Sequence, residues 1–270
     1  MSHSLRPGGG VSPHAIKLRG MTRPLGLPSA IRACLLDLDG VLTQTASLHA
    51  AAWKEMFDAF LRRRAAATGS AFEPFDSERD YREYVDGKLR YDGVRSFLAS
   101  REIGLPEGEP GDPPGAETVV GLGDWKNELV LALIRGGRVE WYPGSVRYVR
   151  AARDAGLGRA IVSASKNARE ILLTARMDDL FEEVIDGVVA ERERLSGKPA
   201  PDTFLAGARA LGVSPAEAVV FEDALAGVEA ARAGAFGFVV GVDRSDQAEA
   251  LLTHGADVVV SDLAELLGDQ

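Results

Sequence analysis

From residue 144 onward short apolar runs alternate with segments whose apolar residues fall at helical spacing, several of them ending in glycine. The runs fall at 159–162, 183–185, 218–221, 237–240 and 257–260, and an earlier one at 31–36 belongs to the same set. Helical patterns occupy 145–155, 167–176, 201–211, 224–233 and 247–252. Strands this short and this continuously apolar are buried on both faces. Alternating with helices, they run parallel, because only a crossover returns the chain to the same edge. Gly156, Gly212 and Gly234 stand where a left-handed residue closes a helix, and Pro201 and Pro215 suit first helical turns. The pattern predicts an α/β fold with a Rossmann-like, doubly wound parallel sheet.

Residues 46–143 break the rhythm. Helical patterns at 48–64, 78–84, 94–100 and 125–134 have no strand among them, and 67–76 and 105–115 read as surface loops rich in glycine, proline and acids. The expected organisation is a core of 30–45 plus 144–270, interrupted after its first strand by an all-helical insertion at 46–143. Residues 1–29, with three consecutive glycines and several prolines, read as a loose extension in which Met21 is an alternative start.

Composition removes several classes of function. With 270 residues, 46% of them hydrophobic, there is ample material for a core. A formal net charge of -9 lacks the basic face that nucleic acid requires. No apolar stretch reaches the length of a membrane span, and the N-terminus has no secretory h-region, so a cytoplasmic protein is expected. The single cysteine, Cys34, lies inside the first apolar run and reads as a small buried hydrophobe. Nothing sets an oligomeric state, and a monomer suffices.

The first run ends in an apparent error: ACLLDLDGVLTQT places Asp37 and Asp39 at the rim of the core, with Gly40 next. Open parallel sheets bind ligands outside the carboxyl ends of their strands. Residues i and i+2 of an extended chain point the same way, so both carboxylates can share one site. Two like charges there call for a cation, or for a proton held by one of them. Magnesium with phosphate meets the first need, and general acid/base work the second. Taken alone, Asp-x-Asp-Gly is more often a turn. A calcium loop is excluded, because its glycine belongs at the sixth position and Gly40 is the fourth.

Partner groups end later strands. The run at 159–162 leads into Ser163-Ala164-Ser165-Lys166-Asn167, hydroxyls and free N–H groups suited to an anion, although one such serine is ordinarily a helix cap. Lys198 sits between Gly197 and Pro199, on an approach stiffened by proline. The run at 218–221 ends in Glu222 and Asp223. Acid pair, hydroxyl, lysine and acid pair supply a nucleophile, a proton donor, a phosphate cradle and a magnesium site. A P-loop is set aside, because Gly197-Lys198 is followed by proline and the earlier glycine is missing.

In this order the segments resemble the four motifs of the haloacid dehalogenase superfamily, and within it the β-phosphoglucomutase-like subfamily. DLDGV, the strand ending at Ser163, Lys198 with its prolines, and FEDALAG carry the wider likeness. DLDGVLTQT followed by His49 and Trp53, WYPG at 141–144, and SASKN followed by GKPAPD carry the narrower one. The resemblance implies that Asp37 is the nucleophile and Asp39 the general acid and base. It implies magnesium on Asp37, the Asp39 carbonyl and Asp223, with Glu222 close by, and a phosphoryl group on Ser163, the Ala164 N–H and Lys198. The insertion would be a helical cap. Thr45 and His49 would position Asp39, Trp53 would face the sugar, and Lys126 and Gly87 would contact substrate. Arg90 would join Ser165, Lys166 and Asn167 in holding a second phosphate. The implied activity is a phosphosugar mutase acting on a small phosphosugar, or else a sugar-phosphate phosphatase. Asp86 and Gly93 depart from the pattern: an acid stands where a basic residue is frequent, and a glycine where serine is common.

Overall fold

The computed structural model describes residues 25–136 and 139–268. Six strands, β1 (Ala33–Leu36), β2 (Gly158–Val162), β3 (Glu183–Ile185), β4 (Ala218–Glu222), β5 (Phe238–Val242) and β6 (Val258–Val260), form one sheet in the order β3-β2-β1-β4-β5-β6. Every pairing is parallel, and the register sets Leu36 level with Ile161 on one side and Phe221 on the other. The chain winds outward in both directions from β1 and β4, so the crevice of this doubly wound sheet opens where those two strands end.

Alternate residues feed two cores. Cys34, Leu36, Ile161, Phe221 and Val240 face α4 (Pro143–Asp154) and α5 (Ala168–Thr174). Leu35, Val162, Val220 and Val239 face α7 (Asp202–Ala210), α8 (Leu225–Ala233) and α9 (Ala248–His254). Burial on both faces is why the runs are apolar throughout rather than alternating. Cys34 is buried and its thiol is pushed up to about 12, chiefly by burial.

Between β1 and β2 the described residues form helices: α1 (Ala46–Thr68), a wide turn at Tyr81–Val85, α2 (Arg90–Ser100) and α3 (Val119–Gly136). Their interior is aromatic, with Phe57 centred 5.3 Å from Phe75 and 4.1 Å from Phe97. The two connectors to the sheet pair with each other: Gln44 N–H donates to the Glu140 carbonyl and Tyr142 N–H to that of Leu42, both at 2.9 Å.

Three expectations require correction. Residues 1–24 lie outside the described residues, but 25–29, assigned to the loose extension, are anchored: Leu25 and Leu27 are buried, and the Tyr148 hydroxyl donates to the Leu25 carbonyl at 3.0 Å. Gly234 is right-handed at φ -79 and Ala235 takes the left-handed position at φ 55; glycine is needed at 234 because the Phe236 ring packs where a side chain would stand. A further core-side helical segment, α6 (Gly187–Glu193), follows β3 where the sequence pattern gave no helix; Asp186 caps it by accepting from the Val188 and Val189 N–H groups.

Candidate active site

The turn after β1 brings the acid pair into the crevice. Gly40 is essential to that turn: at φ +90 it lies against the Asp223 carboxylate, whose Oδ2 would be 1.8 Å from any Cβ at position 40. The loop from β1 is thus pressed directly onto the acid that ends β4. One oxygen each from Asp37, Glu222 and Asp223 lie within 4.8 Å of one another, and all three residues are buried. Hard carboxylate oxygens converging in this way fit a divalent cation such as magnesium.

Lys198 reaches the same cluster from the loop before α7. Its Nζ donates to Asp37 Oδ1 at 2.6 Å and to Glu222 Oε2 at 2.7 Å. Burial works against this ammonium, but the charges of Asp37 and Glu222 outweigh it and hold its pKa above the ordinary value. One lysine does not balance three acids. Burial accordingly raises Asp37 and Asp223, and pushes Glu222 up to about 8. A cation in their midst would remove that penalty.

Asp39 is turned elsewhere. Its Oδ1 accepts the Thr45 hydroxyl, and Thr45 in turn lies 2.6 Å, oxygen to oxygen, from Thr43, whose hydroxyl donates to the Leu38 carbonyl at 3.0 Å. His49 Nε2 lies 3.6 Å from the same Asp39 oxygen, and His49 Nδ1 is 3.0 Å from Lys126 Nζ. Lys126 also sits 4.7 Å above the centre of the Trp53 ring. Burial raises the Asp39 pKa, opposed first by the Thr45 hydroxyl and then by the Lys126 and Lys198 charges and the Ser163 hydroxyl. Burial first, and then the Arg90 charge, lowers Lys126 to about 7.

The helices between β1 and β2 close over this floor. Asp37, Asp39, His49, Trp53, Gly87, Arg90 and Lys126 line one cavity with Ala164, Ser165, Lys166, Asn167, Glu222 and Asp223. Thr45, Ser163 and Lys198 flank that lining; the Ser163 oxygen accepts the Ser165 N–H at 3.1 Å. The cavity volume is about 60 Å³, room for only a handful of waters.

Arg90, Ser165, Lys166 and Asn167, expected to hold a second phosphate, line this one cavity, and several of them are engaged with protein partners. Arg90 donates to Asp124 at 3.1 Å and to Asn127 at 2.8 Å; Lys166 donates to Glu191 at 2.7 Å. Asn127, which the sequence motifs did not mark, also accepts from Asn167 at 3.0 Å and so joins the helical insert to the loop after β2. Tyr81 and Asp86 were likewise missed as cavity residues. Asp86 carried a signal, its departure from the family pattern; Asn127 and Tyr81 carried none.

Acid pairs at the switch point of a parallel sheet, a buried lysine between them and a closed polar cavity define an α/β enzyme of phosphotransferase type. The haloacid dehalogenase-like hydrolase family model matches residues 31–234. The β-phosphoglucomutase of Mycobacterium tuberculosis is 56% identical over 249 residues, covering 91% of this chain and 95% of that protein. The β-phosphoglucomutase of Bacillus subtilis is 30% identical over 244 residues, covering 87% and 92%. The crystal structure of β-phosphoglucomutase from Clostridium difficile superimposes with a TM-score of 0.67 at 26% identity, over 87% of this chain and 93% of that one. The chain belongs to the haloacid dehalogenase-like hydrolase family. Among the described residues no helix is long and apolar enough to cross a membrane.

Proposed function

We propose that this protein is a magnesium-dependent phosphosugar mutase that interconverts β-glucose 1-phosphate and glucose 6-phosphate. Supporting the mutase reading above all is the narrow cavity under the helical insert, which leaves room for few waters, because transfer between two sugar hydroxyls requires that water be kept from the phosphoryl group. A hexose phosphate needs a pocket of roughly 300 Å³ or more. The insert, as a cap, therefore swings about the paired connectors at 39–45 and 139–142 to admit it.

Asp37 attacks phosphorus in line through a carboxylate oxygen. The bond to the sugar oxygen breaks as an aspartyl-phosphate forms, and Asp39 gives its proton to that leaving oxygen. In the second half Asp39 takes the proton of the other sugar hydroxyl, whose oxygen accepts the phosphoryl group and frees Asp37. Lys198, the Ser163 hydroxyl and the Ala164 N–H bind the phosphoryl oxygens, and the Thr45 hydroxyl aims Asp39. Asp37, Glu222, Asp223 and the Asp39 carbonyl would hold magnesium, which neutralises phosphoryl charge when bound. Arg90, Ser165, Lys166 and Asn167 receive the second phosphate, releasing Asp124 and Glu191.

A phosphatase with the same nucleophile and water as acceptor is the second reading, acting on a hexose phosphate or trehalose 6-phosphate. Asp86 favours it, since an acid in the cavity opposes a second phosphate. A coupled assay decides: β-glucose 1-phosphate with magnesium and a bisphosphate activator should yield glucose 6-phosphate well in excess of free phosphate. Release of phosphate without isomerised sugar overturns the mutase reading. Asp37→Asn should abolish both.

A further inference from the structure

Among the described residues of the helical insert, Asp86 is the acid that lines the cavity of the carboxylate cluster, and its placement is built. The wide turn at Tyr81–Val85 ends with the Asp86 N–H donating to the Tyr81 carbonyl at 2.9 Å. Gly87 follows at φ +69, so close to the core that a Cβ there would lie 3.1 Å from Ala224 Cβ and 3.7 Å from Lys198 Cδ. Residue 86 thereby lines the same cavity as Asp223. The Tyr81 side chain lines the same cavity as the Asp86 carboxylate. The cations nearest in sequence are engaged elsewhere: Lys88 donates to Ser96 at 2.8 Å, and Arg90 to Asp124 and Asn127.

Asp86, Asp223 and Tyr81 also line a second cavity, of about 560 Å³, on the other side of this contact. Gln247 lines it as well. Its Nε2 donates to the Asp223 carbonyl at 2.9 Å, while its Oε1 is buried without a hydrogen-bond partner among the described residues. An unpartnered acceptor beside two acids is what a hydrated cation would satisfy, because magnesium keeps several of its waters. Burial pushes Asp86 up to about 7, with the Asp37 charge adding to it, and Asp86 is the largest like-charge influence on Asp223.

We propose that Asp86 is the cap's own contact to the cation site of the core, accepting from the waters of the divalent cation opposite Asp223, so that cation binding and cap closure strengthen one another. The inference rests on the metal-dependent reading above and deepens it. Without a cation, closing the insert adds a carboxylate to an acidic cluster that Lys198 only partly balances; with one, the same motion adds an attraction. By linkage the closed form then binds the cation more tightly by the same factor.

The test uses the full chain without sugar phosphate. Magnesium affinity is measured calorimetrically for the wild type, Asp86→Asn and Asp86→Ser, and proteolysis of the connectors at 39–45 and 139–142 is followed with and without magnesium. Loss of an outer partner of a bound metal weakens affinity by about tenfold or more. Both variants should show that loss, and magnesium should protect the connectors in the wild type alone. Asp86→Ser keeps the test open if Asp86→Asn misfolds. Affinities within about twofold of wild type overturn the proposal; an altered KM for the sugar phosphate at unchanged magnesium affinity would assign Asp86 to the sugar. No sugar phosphate is present, so this result stands or falls apart from the mutase reading.

Discussion

Lys126 Nζ lies 3.0 Å from His49 Nδ1, and through His49 the helical insert reaches the acid Asp39 on the core. When Lys126 is protonated it has no acceptor, so Nδ1 accepts from it and the ring hydrogen sits on Nε2. Burial, reinforced by the charges of Lys126 and Arg90, holds His49 well below its usual pKa and hence neutral. The Nε2 hydrogen then faces Asp39.

Lys126 gives the folded protein a distinctive pH dependence. Its pKa drops from 10.5 to about 7 on folding, chiefly by burial. Between those values the unfolded chain holds a proton at this site that the folded chain does not, so stability rises with pH across the window and is lowest below it. Lys126→Met removes the effect. In urea unfolding without magnesium, the variant should gain most over the wild type below about pH 7, and the gap should narrow by at most ~1.4 kcal/mol per pH unit above it. A gap that is constant with pH would show that the lysine is not desolvated.

Thr45→Val tests how Asp39 is aimed. The substitution keeps shape and removes the hydroxyl that donates to Asp39 Oδ1. A misaimed general acid and base should lose part of the ~10²–10⁴-fold that such groups contribute, with KM little changed. The Thr45 hydroxyl opposes the upward pull of burial on Asp39, so its loss should raise that pKa. The limb of the pH–rate profile on which activity falls with rising pH should then move upward. A lower rate on an unmoved profile would mean a packing defect instead.

What the sequence disclosed follows from where its information lies. Strand ends were legible because a buried parallel strand is apolar until it emerges, and DLDG, Ser163 and FED mark the emergence of β1, β2 and β4. Helix α6 was not, because Gly187-Val188-Val189 is poor helix sequence and the segment depends on Asp186 capping two N–H groups. Residues 25–29 look like linker sequence, yet a leucine at each of positions 25 and 27 suffices to anchor them to the core. Gly93 acquires its reason only in three dimensions: the Trp53 ring would lie 3.2 Å from a Cβ there, so glycine makes room for the indole that lines the cavity. Asp86 and Asn127 belong to the same class. Their partners sit on the other half of the molecule, and no local pattern encodes contacts across a closing interface.

Lys198→Met isolates the buried lysine. Its side chain is 2% exposed, between Glu222 at 1% and Asp37 at 9%. Breaking a buried pair leaves charge without compensation and costs about 3–5 kcal/mol. Unfolding of the variant without magnesium should show a loss of that order, moderated by proton uptake on Glu222. Saturating magnesium should recover part of it, since a cation among the same carboxylates replaces the missing charge. Equal losses with and without magnesium would argue that lysine and cation do not share the cluster.

Gly40→Ala should separate backbone strain from damage to the site. At φ +90 a side chain is strained by about 1–2 kcal/mol. Here the methyl would also fall 1.8 Å from Asp223 Oδ2, so the carboxylate must swing away and take an oxygen out of the cation cluster. Gly69, at φ +70 with nothing within 4 Å of where a methyl group would stand, is the control for strain alone. Calorimetry should find Gly69→Ala binding magnesium as the wild type does, and Gly40→Ala binding it at least about tenfold more weakly, with turnover falling in step. Equal magnesium affinity in the two variants would mean that Asp223 does not hold the cation, and the carboxylate cluster would need another purpose.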